Sequence, residues 1–247
     1  VDKMLALGER VPQLRWIVYH DDRGMRKYAD PRLVSWRDFT ARGDALHRDD
    51  PDRFARAVAS GCGDEVASLC TTSGTTANPK LAMLGHGALL RHAARYLERD
   101  PRGPEDEYVC VLPLPWIMEQ VYVAVMPLLA RIRVNFPESA ETAMADMREI
   151  GPTHLLLAPR VWEQMAADVR ARIMDAAGPT RWLYDTALRR GLAALERGRR
   201  DALADIVLFR ALKDRLGLSR VKSAATGGSA LGPDTFRFFL AMGVPLR

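Results

Sequence analysis

Cysteine is scarce in this chain, and its spacing excludes two kinds of stabilisation. The 247 residues contain three cysteines, Cys62, Cys70 and Cys110, an odd number without any CxxC spacing. Structural zinc sites and the disulfide frameworks of small secreted domains need paired cysteines at regular spacing. We therefore expect neither of them, no metal-ligating cluster, and a reducing compartment.

Long apolar runs and a leader peptide are also missing. The longest apolar candidate, residues 121–130, falls short of the roughly 18 residues that a membrane-spanning helix needs. The start, Val1-Asp2-Lys3-Met4, has no signal-peptide pattern and no initiator Met at position 1. These absences predict a soluble, cytoplasmic chain.

Aromatic residues make up only 7% of the chain, although its net charge is +5. Arginine pairs such as Arg189-Arg190 and Arg199-Arg200 lie in helical stretches, and no basic strand carries the aromatics that would stack on bases. Solvated helix faces are therefore favoured over nucleic-acid binding. The positive charge leaves two other roles open, attraction of an anionic nucleotide and peripheral attachment to a membrane surface.

The apolar content of 48% is sufficient for one large or two modest globular domains. Short apolar runs alternate with helical patterns, which predicts an α/β fold with a largely parallel sheet covered by helices on both faces. Residues 180–216 interrupt this alternation with two charged helical stretches, which we expect to form a helical hairpin outside the sheet. The predicted strands are residues 14–19, 66–70, 108–112, 132–136, 154–158, 221–226 and 244–246.

The segment 71–80, Thr-Thr-Ser-Gly-Thr-Thr-Ala-Asn-Pro-Lys, carries the clearest chemical signal. It follows the apolar run 66–70, which predicts a buried strand, and precedes a helical pattern at 86–98, so we expect a loop between a buried strand and a helix. Four hydroxyls, Gly74 and the ammonium of Lys80 fall within residues 72–80. Hydroxyls, free backbone N–H groups and a lysine are the donors that suit a phosphate.

Two other interpretations of this segment are possible. A Walker A loop requires Gly-Lys-Ser/Thr at its end, but here Lys80 follows Pro79 and precedes Leu81, so that class is excluded. Composition alone is equally consistent with a polar surface loop. The order T-S-G-T-T-x-N-P-K favours a phosphate-binding segment over a polar surface loop, because it strongly resembles the phosphate-binding signature of the adenylate-forming enzymes.

Further blocks resemble the long-chain fatty acyl-CoA synthetase branch of that family, in the family's order. Residues 112–120 resemble L-P-L-x-H-x-x-E-R, residues 151–163 resemble K-P-T…P-R-V-F-E, and residues 226–231 resemble S-G-G-A-P-L. The likeness spans about residues 15–247, and the insertion at 180–216 is also typical of the long-chain branch. The resemblance implies an incomplete N-terminal AMP-binding domain over residues 1–247, with the C-terminal lid domain absent.

The resemblance also implies a reaction and its participants. A fatty acid carboxylate attacks the α-phosphorus of ATP, pyrophosphate leaves, and coenzyme A then takes the acyl group as a thioester, with Mg²⁺ and fixed donors holding the negative oxygens. No complete catalytic set is identified, and oligomeric state has no sequence signal. The implied positions are Thr72, Ser73, Gly74, Thr75, Thr76 and Lys80 for the β and γ phosphates, Gly228, Ser229 and Ala230 beside the adenine and acyl carbonyl, and Trp116, Gly227 and Gly228 for the substrate.

Three positions depart from the family pattern. Ala77 and Leu81 replace glycines, and a side chain there would cost about 1 kcal/mol if the backbone needs positive φ. Trp116 replaces a histidine, which keeps an aromatic group and loses a polar one; it is either a core aromatic or a substrate gate. Glu119 is either a surface charge of a helix or a site residue.

The family's Y-G-x-T-E and T-G-D blocks, the hinge and the lysine of the C-terminal domain are not found. We therefore expect a fragment that binds phosphate or nucleotide weakly and is inactive by itself, from a parent acid–thiol ligase. Two alternatives stay open, a non-catalytic nucleotide-binding relative and an adenylation domain that loads a carrier protein.

Overall fold

The computed structural model describes residues 1–8, 10–72 and 80–247. These form two compact units, Val1–Cys62 and Gly63–Arg247. The helices and strands of the first unit are α1 (Asp2–Ala6), β1 (Ile17–Tyr19), a 3₁₀ helix (Met25–Lys27), β2 (Leu33–Ser35), α2 (Trp36–Asp49) and α3 (Arg53–Ser60).

The first unit is built around a short pair of parallel strands. Strand β1 pairs with β2, with Ile17 opposite Leu33. Strand β2 was not predicted, because three residues that run directly into a helix show no strand period. Ser35 caps the start of α2, since its hydroxyl oxygen accepts a hydrogen bond from the Asp38 N–H at 3.1 Å.

The second unit holds the parallel sheet and most of the helices. Its elements, in chain order, are β3 (Val66–Thr71), β4 (Leu81–Gly85), α4 (His86–Arg99), β5 (Glu107–Val109), α5 (Ile117–Gln120), a π-helix (Val121–Val125), α6 (Met126–Ala130), β6 (Arg133–Asn135), α7 (Ala143–Ile150), β7 (His154–Leu157), α8 (Pro159–Met174), α9 (Gly178–Glu196), α10 (Ala202–Ala204), a second π-helix (Asp205–Phe209), α11 (Arg210–Arg215), β8 (Ser223–Thr226) and α12 (Pro233–Ala241).

Four strands form a parallel sheet in the order β6-β5-β7-β8, which confirms the predicted fold class. Leu246 adds a parallel bridge to Ala224 beyond β8. The chain leaves β5 for its neighbour β6 on one side, and then returns to build β7 and β8 on the other side. The strand order therefore reverses between β5 and β7, and such a switch point opens a crevice at the carboxyl ends of the strands.

Strand β7 is buried on both of its faces. Leu155 and Leu157 belong to the apolar core formed with α8, α9 and α12, whereas Leu156 belongs to the core formed with α4 and the helical segment after β5. Alternate side chains of a strand point to opposite faces of the sheet. Helices therefore cover both faces, as predicted.

The predicted position of the segment 71–80 was wrong in two respects. It connects two antiparallel strands, β3 and β4, with Thr71 opposite Leu81, and the helix α4 starts only at His86. Strand β3 is also not a buried strand, since Cys70 is its single buried residue. A short apolar run such as β4 does not reveal its period, and a two-stranded sheet leaves its strands largely exposed.

A π-helix interrupts the helical segment after β5. Within the π-helix the N–H of Met126 bonds to the carbonyl of Val121, five residues back. Pro127 follows at once and has no N–H to donate, so the wider turn lies next to the residue that cannot continue the α-helical ladder. Among the described residues, no helix combines the length and the apolarity that crossing a bilayer requires.

The amino ends of the strands are joined by buried ion pairs. Asp100 accepts hydrogen bonds from Arg102 and from the Ser223 hydroxyl, both at 2.9 Å. The Arg102 guanidinium also lies 4.4 Å from the centre of the Tyr122 ring. Burial acts to raise the pKa of Asp100, but these hydrogen bonds outweigh it and lower the pKa. This end of the sheet is therefore held in place by charge.

A second group of polar contacts completes this end of the sheet. Lys222 donates to Asp106 at 2.7 Å, and the His154 Nδ1 lies 3.0 Å from the Thr153 hydroxyl and 3.7 Å from Asp106. His154 is only 1% exposed. Because burial disfavours its charged form, with repulsion from Arg102 adding to the effect, the pKa of His154 falls to about 4.

Candidate functional site

The opposite end of the sheet contains an open cleft. The cleft has a volume of about 740 Å³ and lies where β5, β7 and β8 end, beside the end of β3. This is the switch point at which parallel sheets commonly bind ligands. The residues that line the cleft are Cys70, Thr71, Thr72, Leu112, Pro115, Trp116, Ile117, Met118, Leu156, Gly227 and Gly228.

A glycine turn after β8 forms one wall of the cleft. Gly228 has φ of 97°, in the region that favours glycine. A Cβ at this position would come 3.8 Å from Trp116 Cζ3, and one at Gly227 would come 3.9 Å from Leu156. The two glycines therefore keep backbone surface open to a ligand, next to a half-exposed indole ring.

The base of the β3–β4 hairpin forms another wall. The Thr72 N–H donates to the Lys80 carbonyl oxygen at 2.9 Å, and the Thr72 hydroxyl donates to the same oxygen at 3.3 Å. Thr72 lines the cleft. Its hydrogen-bonded partner Lys80 is exposed. Within the described part of the chain, Lys80 has no ion-pair partner. Its ammonium thus remains available at the root of the hairpin.

A side-chain contact ties the hairpin to the helix on the other side of the cleft. The Ser68 hydroxyl of β3 donates to Gln120 Oε1 of α5 at 2.8 Å. The same α5 begins directly after Trp116, and Ile117 and Met118 of this helix line the cleft. The hydroxyls of the hairpin and the apolar side chains of α5 are therefore held at a fixed separation.

Glu119 of α5 follows the cleft residue Met118 and is fully buried. The Tyr108 hydroxyl donates to its Oε2 at 2.6 Å. Burial raises the pKa of Glu119, and the hydrogen bond from Tyr108 acts against that rise. The other carboxylate oxygen, Oε1, is buried without a hydrogen-bond partner among the described residues. Burial likewise raises the pKa of Cys110 to about 12. Glu119 is thus neither a surface charge nor a cleft residue; it connects β5 to α5 and positions the cleft wall.

The structure brings part of the predicted site together. Thr72, Trp116, Gly227 and Gly228 all line one cleft. Lys80 contacts Thr72 through its carbonyl but is not itself among the lining residues. Ser229 and Ala230 are exposed and follow Gly228, outside the described lining. Four predicted residues, Ser73, Gly74, Thr75 and Thr76, lie outside the described residues.

Sequence reasoning missed the apolar half of the lining. Leu112, Ile117, Met118 and Leu156 contribute to the cleft wall. In sequence these positions are indistinguishable from core residues, because an apolar cavity and an apolar core use the same side chains. Leu112, Ile117 and Met118 lie within the block that resembles a family motif, which offered the one signal, and Leu156 had none.

The structure also bears on the departures from the family pattern. Leu81 begins β4 in extended backbone, and Arg131 is the only described non-glycine residue with positive φ. Leu81 therefore carries no left-handed strain. Ala77 lies outside the described residues. Trp116 is 45% exposed at the cleft, so it is not a core aromatic.

Comparison with known proteins gives the family. The family profile of AMP-binding enzymes matches residues 12–246. A long-chain-fatty-acid–CoA ligase, ACSBG2 of Rattus norvegicus, is 29% identical over 229 residues, which cover 87% of this chain and 34% of the relative. Long-chain-fatty-acid–CoA ligase 1 of Homo sapiens is 30% identical over 72% of this chain and 26% of its own length. Peroxisomal long chain acyl-CoA synthetase 7 of Arabidopsis thaliana is 26% identical over 95% of this chain and 33% of its own.

Solved structures show the same fold. The crystal structure of VinN superposes with a TM-score of 0.55 at 17% identity, covering 94% of this chain and 48% of VinN. A malonyl-CoA ligase bound to methylmalonyl-CoA and AMP superposes with a TM-score of 0.50 at 20% identity, covering 76% and 33% of the two chains. The chain spans about a third of the length of the curated relatives that it matches. Because the family profile covers nearly every residue, the chain belongs to the family of AMP-binding enzymes.

Proposed function

We propose that this chain supplies the ATP- and acyl-binding region of a long-chain fatty acid–CoA ligase. The observation that carries the proposal is the single cleft in which Thr72 of the hairpin, Trp116 and the glycines after β8 meet. The cleft offers hydroxyl donors at one side and apolar side chains at another. This division suits an acyl-adenylate, which has a charged phosphate and an apolar tail.

We propose that the hairpin holds the triphosphate. The Lys80 ammonium supplies a positive charge at the hairpin base, the Thr72 hydroxyl would turn from the Lys80 carbonyl to donate to phosphate, and Ser73, Gly74, Thr75 and Thr76 would extend this set. The described lining of the cleft contains no carboxylate. Mg²⁺ would accordingly be held by phosphate oxygens and hydroxyls, and when bound it would supply charge neutralisation.

We propose that the acyl chain lies on the apolar wall formed by Leu112, Met118 and Leu156, with Trp116 at its edge. In the first step a carboxylate oxygen donates an electron pair to the α-phosphorus of ATP, and the bond to pyrophosphate breaks. In the second step the thiolate of coenzyme A attacks the acyl carbonyl, and AMP leaves with the electron pair of the acyl–oxygen bond. Backbone at Gly228, Ser229 and Ala230 would border the adenine and the carbonyl.

Titration of MgATP into the chain and its Lys80→Ala variant tests the phosphate site. A hydrogen bond from a charged group contributes about 1.5–3 kcal/mol, so we expect the variant to bind at least tenfold more weakly. Lys27, an exposed lysine of the first unit, provides the matched control as Lys27→Ala. Equal affinities of the Lys80→Ala variant and the unaltered chain would contradict the assignment.

Pyrophosphate release separates the ligase from the two alternatives. A fatty acid–CoA ligase releases pyrophosphate with a fatty acid and forms acyl-CoA when coenzyme A is added, whereas a carrier-loading adenylation domain needs the carrier protein for the second product. A non-catalytic relative binds MgATP without release. The assay is run on the chain alone and on the longest natural protein that contains it.

We further propose that the protein lies in a reducing compartment such as the cytoplasm and that it associates there with the surface of anionic membranes. The support is a concavity on the second unit lined by five arginines, with exposed apolar side chains shortly after it in the chain. Arginines attract acidic lipids by about 1 kcal/mol each, and apolar side chains insert at the interface. The residues concerned are Arg189, Arg190, Arg197, Arg199, Arg200, Leu203, Ile206 and Val207.

Sedimentation with vesicles tests this association. We expect binding to vesicles that contain phosphatidylserine, release at high salt, and a marked loss in Arg197→Gln/Arg199→Gln. Equal binding to neutral phosphatidylcholine vesicles, or no effect of the double substitution, would contradict the proposal.

A further inference from the structure

A second concavity lies on the other face of the sheet from the cleft. It has a volume of about 190 Å³ and is formed by α7, α8 and α11. Its deepest residues pack into the core that contains Leu155 and Leu157, whereas the cleft is lined by Leu156. Because alternate residues of β7 point to opposite faces, the two sites are separated by the sheet.

The floor of this groove is apolar and adaptable. Met165 and Val169 of α8 are buried, and the other apolar residues are partly buried against the same core. Methionine side chains are flexible and polarizable, so they adjust to ligands of irregular shape. The apolar residues that line the groove are Met144, Met165, Val169, Ile173, Leu212 and Leu216.

The rim of the groove carries a net positive charge. Arg148, Arg172 and Arg215 line it from three different helices, and all three are exposed. Asp168 is the single acidic residue of the lining, and its carboxylate accepts a hydrogen bond from Gln164 at 2.7 Å. Among the described residues, none of these three arginines forms an ion pair. Three guanidinium groups around an apolar floor therefore meet no equivalent negative charge from the chain itself.

We propose that this groove binds a single-chain anionic amphiphile, with its head group among the three arginines and its alkyl chain on the floor. Guanidinium groups match sulfate, phosphate and carboxylate oxygens in geometry and charge. An apolar cavity of about 150 Å³ accepts a benzene-sized molecule, so the floor accommodates an alkyl group of roughly that size or slightly larger. The proposal does not depend on the ligase activity, because it concerns a different face of the sheet.

Methionine methyl NMR tests the site directly, because the chain carries its own reporters. Met144 and Met165 line the groove, whereas Met118 lines the cleft. The probe is octyl sulfate below its micelle-forming concentration, titrated into the full chain with labelled methionine methyl groups. We expect saturable shifts of the Met144 and Met165 signals, and any shift of Met118 reports separate binding at the proposed acyl wall. Movement of Met118 alone would overturn this inference and leave the proposed acyl site intact.

Two further probes separate head from tail. Each buried methylene contributes about fourfold in affinity, so butyl sulfate is expected to bind at least tenfold more weakly than octyl sulfate. Octanol lacks the anionic head and is also expected to bind at least tenfold more weakly. Equal affinities of octanol and octyl sulfate would overturn the role of the arginines, and equal affinities of the two sulfates would overturn the role of the floor.

The charge of the rim is tested by Arg172→Gln/Arg215→Gln, since both residues are exposed and their loss leaves the core unchanged. We expect its dissociation constant for octyl sulfate to rise at least tenfold with an unaltered thermal unfolding curve. Arg181→Gln, an exposed arginine of α9 away from the groove lining, is the matched control and is expected to bind like the unaltered chain. Unchanged affinity in the double variant would refute the proposal.

Discussion

Between pH 8 and pH 5, acid is expected to destabilise the second unit mainly through His154. The imidazole is 1% exposed, and it lies within a network that contains Arg102 and Asp106. Burial is the largest cause of its low pKa, repulsion from Arg102 adds to it, and attraction by Asp106 and Asp100 offsets only part. The folded chain therefore keeps His154 neutral where an unfolded chain binds a proton.

The size of the effect follows from the two pKa values of His154. The pKa falls from 6.5 in the unfolded chain to about 4 in the folded chain. At about 1.4 kcal/mol per pKa unit, the full difference corresponds to about 3 kcal/mol of unfolding free energy. Because the unfolded chain binds more protons between these values, stability is present above pH 6.5 and is lost as pH falls toward 4. At pH 5 the loss is about 2 kcal/mol.

Urea unfolding followed by circular dichroism at pH 8 and pH 5 measures this loss. His154→Asn retains a polar group near Nδ1 and cannot take up the proton, so we expect its unfolding free energy to change little between the two pH values. His92→Asn is the matched control, because His92 is exposed on α4. An NMR titration of the His154 ring in the unaltered chain is expected to give a midpoint near pH 4. A midpoint near 6.5, or a pH slope that survives in His154→Asn, would refute the reasoning.

Three further substitutions probe the interior and the cleft. Glu119→Leu removes the acceptor of the Tyr108 hydroxyl, so we expect urea unfolding to show that the free energy of unfolding falls by about 1–3 kcal/mol. Glu119→Gln keeps an acceptor and is expected to lose less, so equal losses would contradict the role of the hydrogen bond. Gly191→Ala would put a Cβ 2.6 Å from Phe209 Cε2. We therefore expect overpacking to lower the free energy of unfolding by about 1–3 kcal/mol, despite the better helix propensity of alanine. A raised melting temperature would disprove this. Gly228→Ala forces a residue with a side chain into positive φ beside the cleft, at a cost of about 1 kcal/mol. Calorimetry is expected to show weaker MgATP binding, and an unchanged titration would exclude a role for this turn.

The pattern of apolar runs was sufficient to predict the parallel sheet. Runs such as those at β5 and β7 are continuous rather than alternating, because both faces of a central parallel strand are buried. The alternation of such runs with helical spacing then specifies the fold class. The segment around Thr72 and the block around Trp116 were also recognisable, since their residue types and order are unusual.

The same reasoning failed where an element depends on its partner. Strand β4 has an apolar run that is equally compatible with a helix, and only its pairing with β3 makes it a strand. Glu119 shows the same limit, because a glutamate in a helical pattern suggests a surface charge. Its burial is decided by packing against strand β5, where the Tyr108 hydroxyl donates a hydrogen bond to it.

The chain's own order of residues determined its family, its strand–helix alternation and the chemistry of its hydroxyl-rich segment, because these depend on neighbours in sequence. Tertiary structure decided which residues share a cavity. Thr72, Trp116 and Gly228 are far apart along the chain and meet only because β3 ends beside the edge at which β5, β7 and β8 end. Three arginines from three helices likewise gather over one apolar floor only after those helices pack against the sheet.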